Sequence, residues 1–281
     1  MKDFNSKVAV ITGAASGIGR ALAERCAREG MKVVLADVEP GALADVEANL
    51  QAGGGTVLAV RTDVSQAKDV EALAQQTLEA FGAVHLLCNN AGVATSGTLA
   101  WESDLTDWEW VIGVNLWGVI HGVRTFVPIM LAQDTECHIV NTASLSGLIS
   151  FPRGSIYAVT KHGVVTLSET LHHELAERGG KVKVSVLCPG LVKTRIMDCA
   201  RNRPERLAAT APMGPVEAAG WETLRQRMQA DGMPPAQVAE AVFQAIREER
   251  FYILTHPEGK DWIRTRMEDI LEERNPTLLE P

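Results

Sequence analysis

The amino-acid sequence predicts an α/β fold: a single-domain, doubly wound parallel sheet of seven strands with helices on both faces. Three observations predict it. Short apolar runs alternate with stretches of helical periodicity from end to end. A turn carrying Gly13, Gly17 and Gly19 joins the first apolar run to the first helical stretch. The second apolar run closes on an acid, Asp37.

Composition sets the outer bounds. With 281 residues, 46% of them hydrophobic, the chain can bury a substantial core. Proline, glycine and serine are scattered, and neither a repeat nor a low-complexity segment marks an internal boundary, so one domain is expected over residues 1–281. The net charge is −8, from 27 basic and 35 acidic residues, and the bases are dispersed; a nucleic-acid surface needs them clustered. The N-terminus lacks the apolar core of a signal peptide, and no run approaches the roughly 18 apolar residues of a membrane span. A soluble, cytoplasmic protein with no membrane partner is expected. Cys26, Cys88, Cys137, Cys188 and Cys199 are odd in number and lack Cys-x-x-Cys spacing, which fits reduced, buried thiols.

Val8–Ile11 is wholly apolar, as a parallel strand covered on both faces requires. The turn from Thr12 to Gly19 then leads into a helix over Arg20–Glu29. Glycines there allow a tight turn and let a pyrophosphate approach the helix N-terminus, where free N–H groups and the dipole favour an anion; this is the signature of a Rossmann fold. The second strand, Lys32–Asp37, ends in its carboxylate 18 residues after Gly19, near the spacing at which an acid meets the adenosine ribose hydroxyls. A 2′-phosphate would set close to two negative charges against Asp37, and Val38 offers no base; Arg20, the only base weighed here, also reads as a solvated helix position. NAD is therefore favoured over NADP. A helix over Pro40–Gln51 and a strand over Thr56–Val60 lead to Asp63 and Val64. Asp63 reads as the cap of a helix beginning near Ser65, an alternative to the cofactor role that the resemblance described below implies for it.

The fourth strand, Val84–Cys88, begins beside His85, read as a strand-start residue without chemistry, and runs into Asn89-Asn90-Ala91-Gly92. Thr106–Leu131 reads as one long helix, and Asn115 within it is a poor helix former whose presence needs a reason. The fifth strand, His138–Asn141, leads to Ser144. A helix follows from Ser155 to Arg178, and Tyr157 and Lys161, four apart on it, project from one face. The sixth strand, Val182–Cys188, ends at Pro189-Gly190. Residues 195–234 read as irregular, followed by a helix over Pro235–Glu248 and a last strand over Phe251–Thr255. The tail from Glu258 to Arg274 spaces Trp262, Ile263, Met267, Ile270 and Leu271 as an amphipathic helix, expected to cover its own core, or alternatively to meet another subunit.

Six stretches in order, Thr12–Gly19, Asn89–Gly92, Asn115, Ser144, Tyr157 with Lys161, and Pro189–Thr194, resemble the short-chain dehydrogenase/reductase family, over about Lys7 to Thr194. The resemblance implies a cofactor and catalytic core at 7–194, a substrate lid at 195–234 and a helical tail at 256–281. It implies a catalytic tetrad of Asn115, Ser144, Tyr157 and Lys161, with Asn115 in a slight helix distortion holding a water linked to Lys161. It gives the cofactor to Gly13, Ser16, Gly17, Ile18, Gly19, Asp37, Asp63, Val64, Asn90, Ala91, Gly92, Tyr157, Lys161, Pro189, Gly190, Val192 and Thr194. Among these, Val192 and Thr194 match the stretch that holds the nicotinamide carboxamide.

In the implied reaction Tyr157 is the base in alcohol oxidation and the acid in ketone reduction, Lys161 with oxidised nicotinamide favours the phenolate, and Ser144 binds the substrate oxygen. The substrate is expected to be a hydrophobic secondary alcohol or its ketone, cyclic, aryl or steroid-like, because no Lys/Arg cluster stands ready for a phosphate ester. Candidate contacts are Ser144, Leu145, Phe151, Met197 and Trp221, with Leu148, Ile149, Met213, Met228 and Met233 adding apolar surface. The resemblance also implies a homodimer or homotetramer paired through the helices of Asn115 and Tyr157. No metal is expected, since the adjacent His172 and His173 point in different directions. The rival readings are an NADP-dependent carbonyl reductase, a catalytically silent NAD sensor, and a nucleotide-sugar epimerase or dehydratase.

Overall fold

The computed structural model describes every residue except Ser96, Ala211, Pro212, Glu280 and Pro281; two of these belong to the expected lid and two to the tail. Seven parallel strands form one sheet in the order β3-β2-β1-β4-β5-β6-β7. They are β1 Val8–Thr12, β2 Lys32–Asp37, β3 Thr56–Arg61, β4 Leu86–Asn89, β5 Cys137–Thr142, β6 Val182–Leu187 and β7 Tyr252–Ile253. The order reverses between β1 and β4, and at such a switch point the loops after the strands part to leave a crevice.

Alternate side chains of each strand enter opposite cores. Ala9 and Ile11 of β1 pack with α1 (Gly17–Arg28), α2 (Pro40–Ala52) and α8 (Pro235–Arg247), around Leu22, Val46 and Phe243. Val8 and Val10 pack with α3 (Ala67–Phe81), α5 (Gly118–Ala132) and α6 (Ser155–Glu177), around Leu73, Phe126 and Leu171. Fully burying one such large side chain contributes about 1.5–3 kcal/mol, so the two layers are what hold the strand ends in register. All five cysteines are buried and free. His85 is structural: its Nδ1 accepts from Val8 N–H at 3.1 Å.

The long helix carries the expected distortion at Asn115: α4 (Leu105–Ile112) passes through a π-helical turn, Gly113–Trp117, into α5. Three expectations need correction. This continuous stretch, Leu105–Ala132, is also long and apolar enough to match a membrane span by length and composition, but Val111, Val119, Phe126 and Met130 are buried in the protein. Residues 195–234 are not irregular; they hold 3-10 turns at Ile196–Asn202 and Glu205–Leu207 and the 17-residue helix α7, Pro215–Asp231. Pro215 at its first turn and Glu217, whose carboxylate accepts from Gly214 N–H at 2.8 Å, give α7 a start that polar spacing along 195–234 concealed. The tail helix α9 (Gly259–Leu271) does not cover the core with its apolar stripe. Met267, Ile270 and Leu271 are exposed, while Trp262 faces the crevice.

Candidate active site

The crevice at the switch point has a volume of about 1410 Å³ and is lined from the ends of β1, β2, β4, β5 and β6, with α7 and the start of α9 on its outer side. At its first wall the glycine turn is packed tightly. A Cβ on Gly19 would fall 2.1 Å from the Gly13 carbonyl oxygen, and one on Gly13 would fall 2.9 Å from Ala91 Cα. Ser16, at the N-cap of α1, makes no side-chain cap bond, so the first N–H groups of the helix have no side-chain acceptor. Thr12 Oγ1 accepts from Asn90 and Ala91 N–H at 2.8 and 3.0 Å, which fixes the β4 loop against the turn. Asn90 Nδ2 adds a bond to the Thr12 carbonyl at 3.0 Å.

Asp37 lies where the spacing put it. Its carboxylate accepts from Ala15 N–H at 3.0 Å and Glu39 N–H at 3.1 Å, and burial raises its pKa against the pull of those bonds. Asp63 is committed to its own turn, accepting from Ser65 N–H at 3.0 Å and the Ser65 hydroxyl at 2.7 Å. It does not cap a helix at Ser65, because α3 begins at Ala67 behind Gln66; with Val64 it lines the crevice. Arg20 pairs with Glu24 on the solvent side, as its helix position suggested. Arg61, which sequence reading overlooked, is the register partner of Asp37 and also lines the crevice. Strand pairing was the signal that would have found it.

The second wall carries Ser144, Tyr157 and Lys161 of the expected tetrad, with Asn115 buried behind it. Ser144 follows β5; its Oγ accepts from Ser146 N–H at 3.1 Å and reaches the Pro189 carbonyl at 3.4 Å. Tyr157 and Lys161 stand on one face of α6. Burial pushes the Tyr157 phenol up to about 12, and its hydrogen bond with Ser144 acts the other way. Lys161 is 2% exposed, donates to the Thr142 carbonyl at 2.9 Å, and is pushed down to about 8 by burial. Asn115 sits in the π-helical turn and is fully buried. Its side chain bonds both backbone groups of Val93, at 2.8 and 2.9 Å, and Thr160 Oγ1 at 3.3 Å, which ties the turn to the β4 loop and to α6. Of the sequence-derived site residues, only Gly19 and Asn115 do not line the crevice; both brace residues that do.

The segment 195–234, expected to be a lid, is tied down at several points. Arg203 pairs with Asp107 at 2.5 Å, Arg206 with Glu109 at 2.6 Å, and Arg201 with Glu39 at 2.5 Å. Cys199 Sγ lies 2.9 Å from the Ala94 carbonyl and 3.2 Å from its N–H. Met197, Trp221 and Met228 line the crevice, with the Trp221 indole donating to the Met197 carbonyl at 3.1 Å. Met233 packs on the core instead and Met213 is exposed, so only two of the four methionines join the wall. Leu145, Ile149 and Phe151 also line it, whereas Leu148 turns to another cluster.

A closed glycine turn under a helix N-terminus, an acid on the next strand and a Ser/Tyr/Lys group across the switch point define a dinucleotide-dependent oxidoreductase, and the residues present fit that cofactor. The model for short chain dehydrogenase matches residues 7–205, and the chain belongs to that family. A short chain dehydrogenase/reductase from Burkholderia phymatum, solved in complex with NAD, is 52% identical with a TM-score of 0.97 over 100% of both chains. The CLA biosynthesis dehydrogenase/reductase of Lactiplantibacillus plantarum is 35% identical over 280 residues, 99% of this chain and 98% of the relative. The 1-deoxy-11-beta-hydroxypentalenate dehydrogenase of Streptomyces exfoliatus is 35% identical over 268 residues, 95% of this chain and 89% of the relative.

Proposed function

We propose that this protein transfers hydride between NAD(H) and a hydrophobic secondary alcohol or its ketone, of cyclic, aryl or steroid-like kind. The observation that carries the reading is the meeting of Tyr157, Ser144 and Lys161 at one wall of a crevice whose facing lid offers Met197, Trp221 and Met228. Bound nicotinamide supplies the hydride acceptor or donor and, when oxidised, a positive charge. Tyr157 takes the hydroxyl proton in oxidation and returns it in reduction. Ser144 holds the substrate oxygen as charge develops on it. Lys161, anchored at Thr142, adds positive potential beside the phenol, and Asn115 keeps the π-helical turn against α6.

The Streptomyces exfoliatus relative is a dehydrogenase of a hydroxypentalenate, which supports hydroxyl oxidation as the reaction class. NAD is preferred over NADP because the Asp37 carboxylate, at the crevice end of β2, would repel a 2′-phosphate, and the complex of the Burkholderia phymatum relative holds NAD. Arg61 favours the NADP reading, as a base beside the Asp37 strand end. A silent sensor is disfavoured by the complete tetrad. Purified protein with NAD, NADP and a panel of cyclic, aryl and sugar alcohols, followed by cofactor absorbance, tests all of this. Turnover confined to polyols or sugars, or none at all, would overturn the proposal.

A further inference from the structure

The junction between β7 and α9 lies outside the stretches that carry the family resemblance, yet it grips both loops of the second wall. His256 Nδ1 lies 3.0 Å from Gly190 N, and His256 Nε2 lies 3.0 Å from the Leu191 carbonyl oxygen. A backbone N–H only donates and a carbonyl only accepts. Both bonds therefore form together in one state alone, the neutral imidazole with its proton on Nε2. The Thr255 hydroxyl, 2.8 Å from Nδ1, meets the same lone pair as a second donor. The ring also fills the space over Gly190, where a Cβ would fall 2.9 Å from its Cγ.

Three residues further on, Gly259 packs on the residue after the candidate catalytic serine: a Cβ there would fall 2.7 Å from Leu145 Cδ2. Leu145 N–H in turn donates to the Pro189 carbonyl at 2.9 Å, the oxygen that Ser144 Oγ also reaches. The segment Pro189–Leu191 is thus held from one side by the Ser144 loop and from the other by His256. Leu191 carries a third tie, its carbonyl accepting from Met233 N–H at 2.8 Å. Immediately after this pinned segment come Val192 and Thr194.

We infer that His256 is a positioning residue for the nicotinamide half of the cofactor. By reading the N–H of Gly190 and the carbonyl of Leu191 at once, it fixes the height and rotation of the backbone that leads into Val192 and Thr194. The adenosine half is held by the glycine turn and Asp37, on strands that His256 does not touch. The inference rests on the dinucleotide reading above, and it separates the two halves of the ligand.

The test compares binding of NAD with that of ADP-ribose, which lacks the nicotinamide, to the full chain by calorimetry. His256→Phe keeps a ring and removes both nitrogens. It should weaken NAD by about tenfold, the scale of one to two net hydrogen bonds, while ADP-ribose affinity stays within about twofold. His256→Asn keeps an acceptor in the place of Nδ1 and should fall between wild type and the phenylalanine variant. Equal loss for both ligands would make His256 a general brace of the fold and overturn the inference, as would no loss for either. Should the phenylalanine variant fail to fold, the asparagine variant decides alone, with NAD weakened severalfold and ADP-ribose unchanged. A wild type that binds neither ligand would instead bring down the cofactor reading itself.

Discussion

Lys161 Nζ stands 5.5 Å from the centroid of the Tyr157 ring while giving a hydrogen bond to the Thr142 carbonyl at 2.9 Å. The cation is therefore anchored to the end of β5, and it acts on the phenol through space. Burial acts on both groups and favours the neutral form of each, pushing the phenol up to about 12 and the ammonium down to about 8. A further positive charge beside the ring is what would bring the phenolate within reach of neutral pH.

Titration of the phenol tests this directly, because the chain has only two tyrosines and the other, Tyr252, is also pushed up to about 12, by burial and by its bond to Glu169. The protein alone should show no phenolate absorbance up to pH ~10, where a free tyrosine is half ionised. Saturating oxidised NAD would bring its positive nicotinamide ring beside the phenol, which lowers a phenol's pKa, so one tyrosine should begin to ionise at lower pH. Tyr157→Phe should abolish that band. A titration unmoved by NAD would refute the electrostatic pairing.

The same variant tests proton transfer. Tyr157→Phe keeps the ring and removes the transferable proton, so turnover should drop by roughly 100-fold or more with NAD affinity retained. Retained turnover would remove Tyr157 from the mechanism.

What the sequence revealed and what it hid divide along physical lines. Gly13, Asp37, Asn90, Ser144 and Thr194 each lie at or after a strand end, and strand ends in a parallel sheet converge, so linear order already placed them on one crevice. Arg61 was invisible because it enters through pairing of β3 with β2. His256 was invisible because it touches Gly190 across 66 residues of chain, in a stretch without motif or period. Helix α7 was missed for another reason: Met228 is its only buried residue, so hydrophobic periodicity had almost nothing to register. For α9 the apolar period was present and helix formation followed, but Met267, Ile270 and Leu271 face outward; period reports a face, not what covers it.

Cofactor choice should depend on Asp37. Wild type should show higher kcat/KM with NAD than with NADP, and Asp37→Ala should narrow the gap by about tenfold. The substitution also leaves Ala15 and Glu39 N–H without their acceptor, so absolute efficiency with both cofactors should fall. A wild-type preference for NADP would shift the cofactor reading to Arg61.

Assembly is predicted from what the π-helical turn and α6 leave uncovered. Trp117, at the end of the π-helical turn, is 47% exposed and Val159 on α6 is 50% exposed, on the two helices through which the family resemblance implies pairing. Light scattering at micromolar concentration should find a dimer or tetramer, and Val159→Glu should shift it toward monomer. A wild type that is monomeric throughout would refute this.

Substrate selection is expected to reside in the lid. Trp221 is half-buried, lines the crevice, and is held by its indole bond to the Met197 carbonyl, so the ring and Met197 form one surface. Met213, in the same segment, is exposed and outside the wall, which makes it an internal control. Trp221→Ala should raise KM for cyclic and aryl alcohols by about tenfold or more, the scale expected when a large aromatic contact is lost, with NAD affinity little changed. Met197→Ala should act in the same direction more weakly, and Met213→Ala should leave every constant within about twofold. Trp221→Phe separates the two contributions of the residue: it retains apolar area but loses the bond to Met197, so a KM close to wild type would assign the effect to area and one close to the alanine variant to the placement of the lid. Indifference of KM to both Trp221→Ala and Met197→Ala would move substrate selection away from the lid, to Ile149 and Phe151 on the opposite wall.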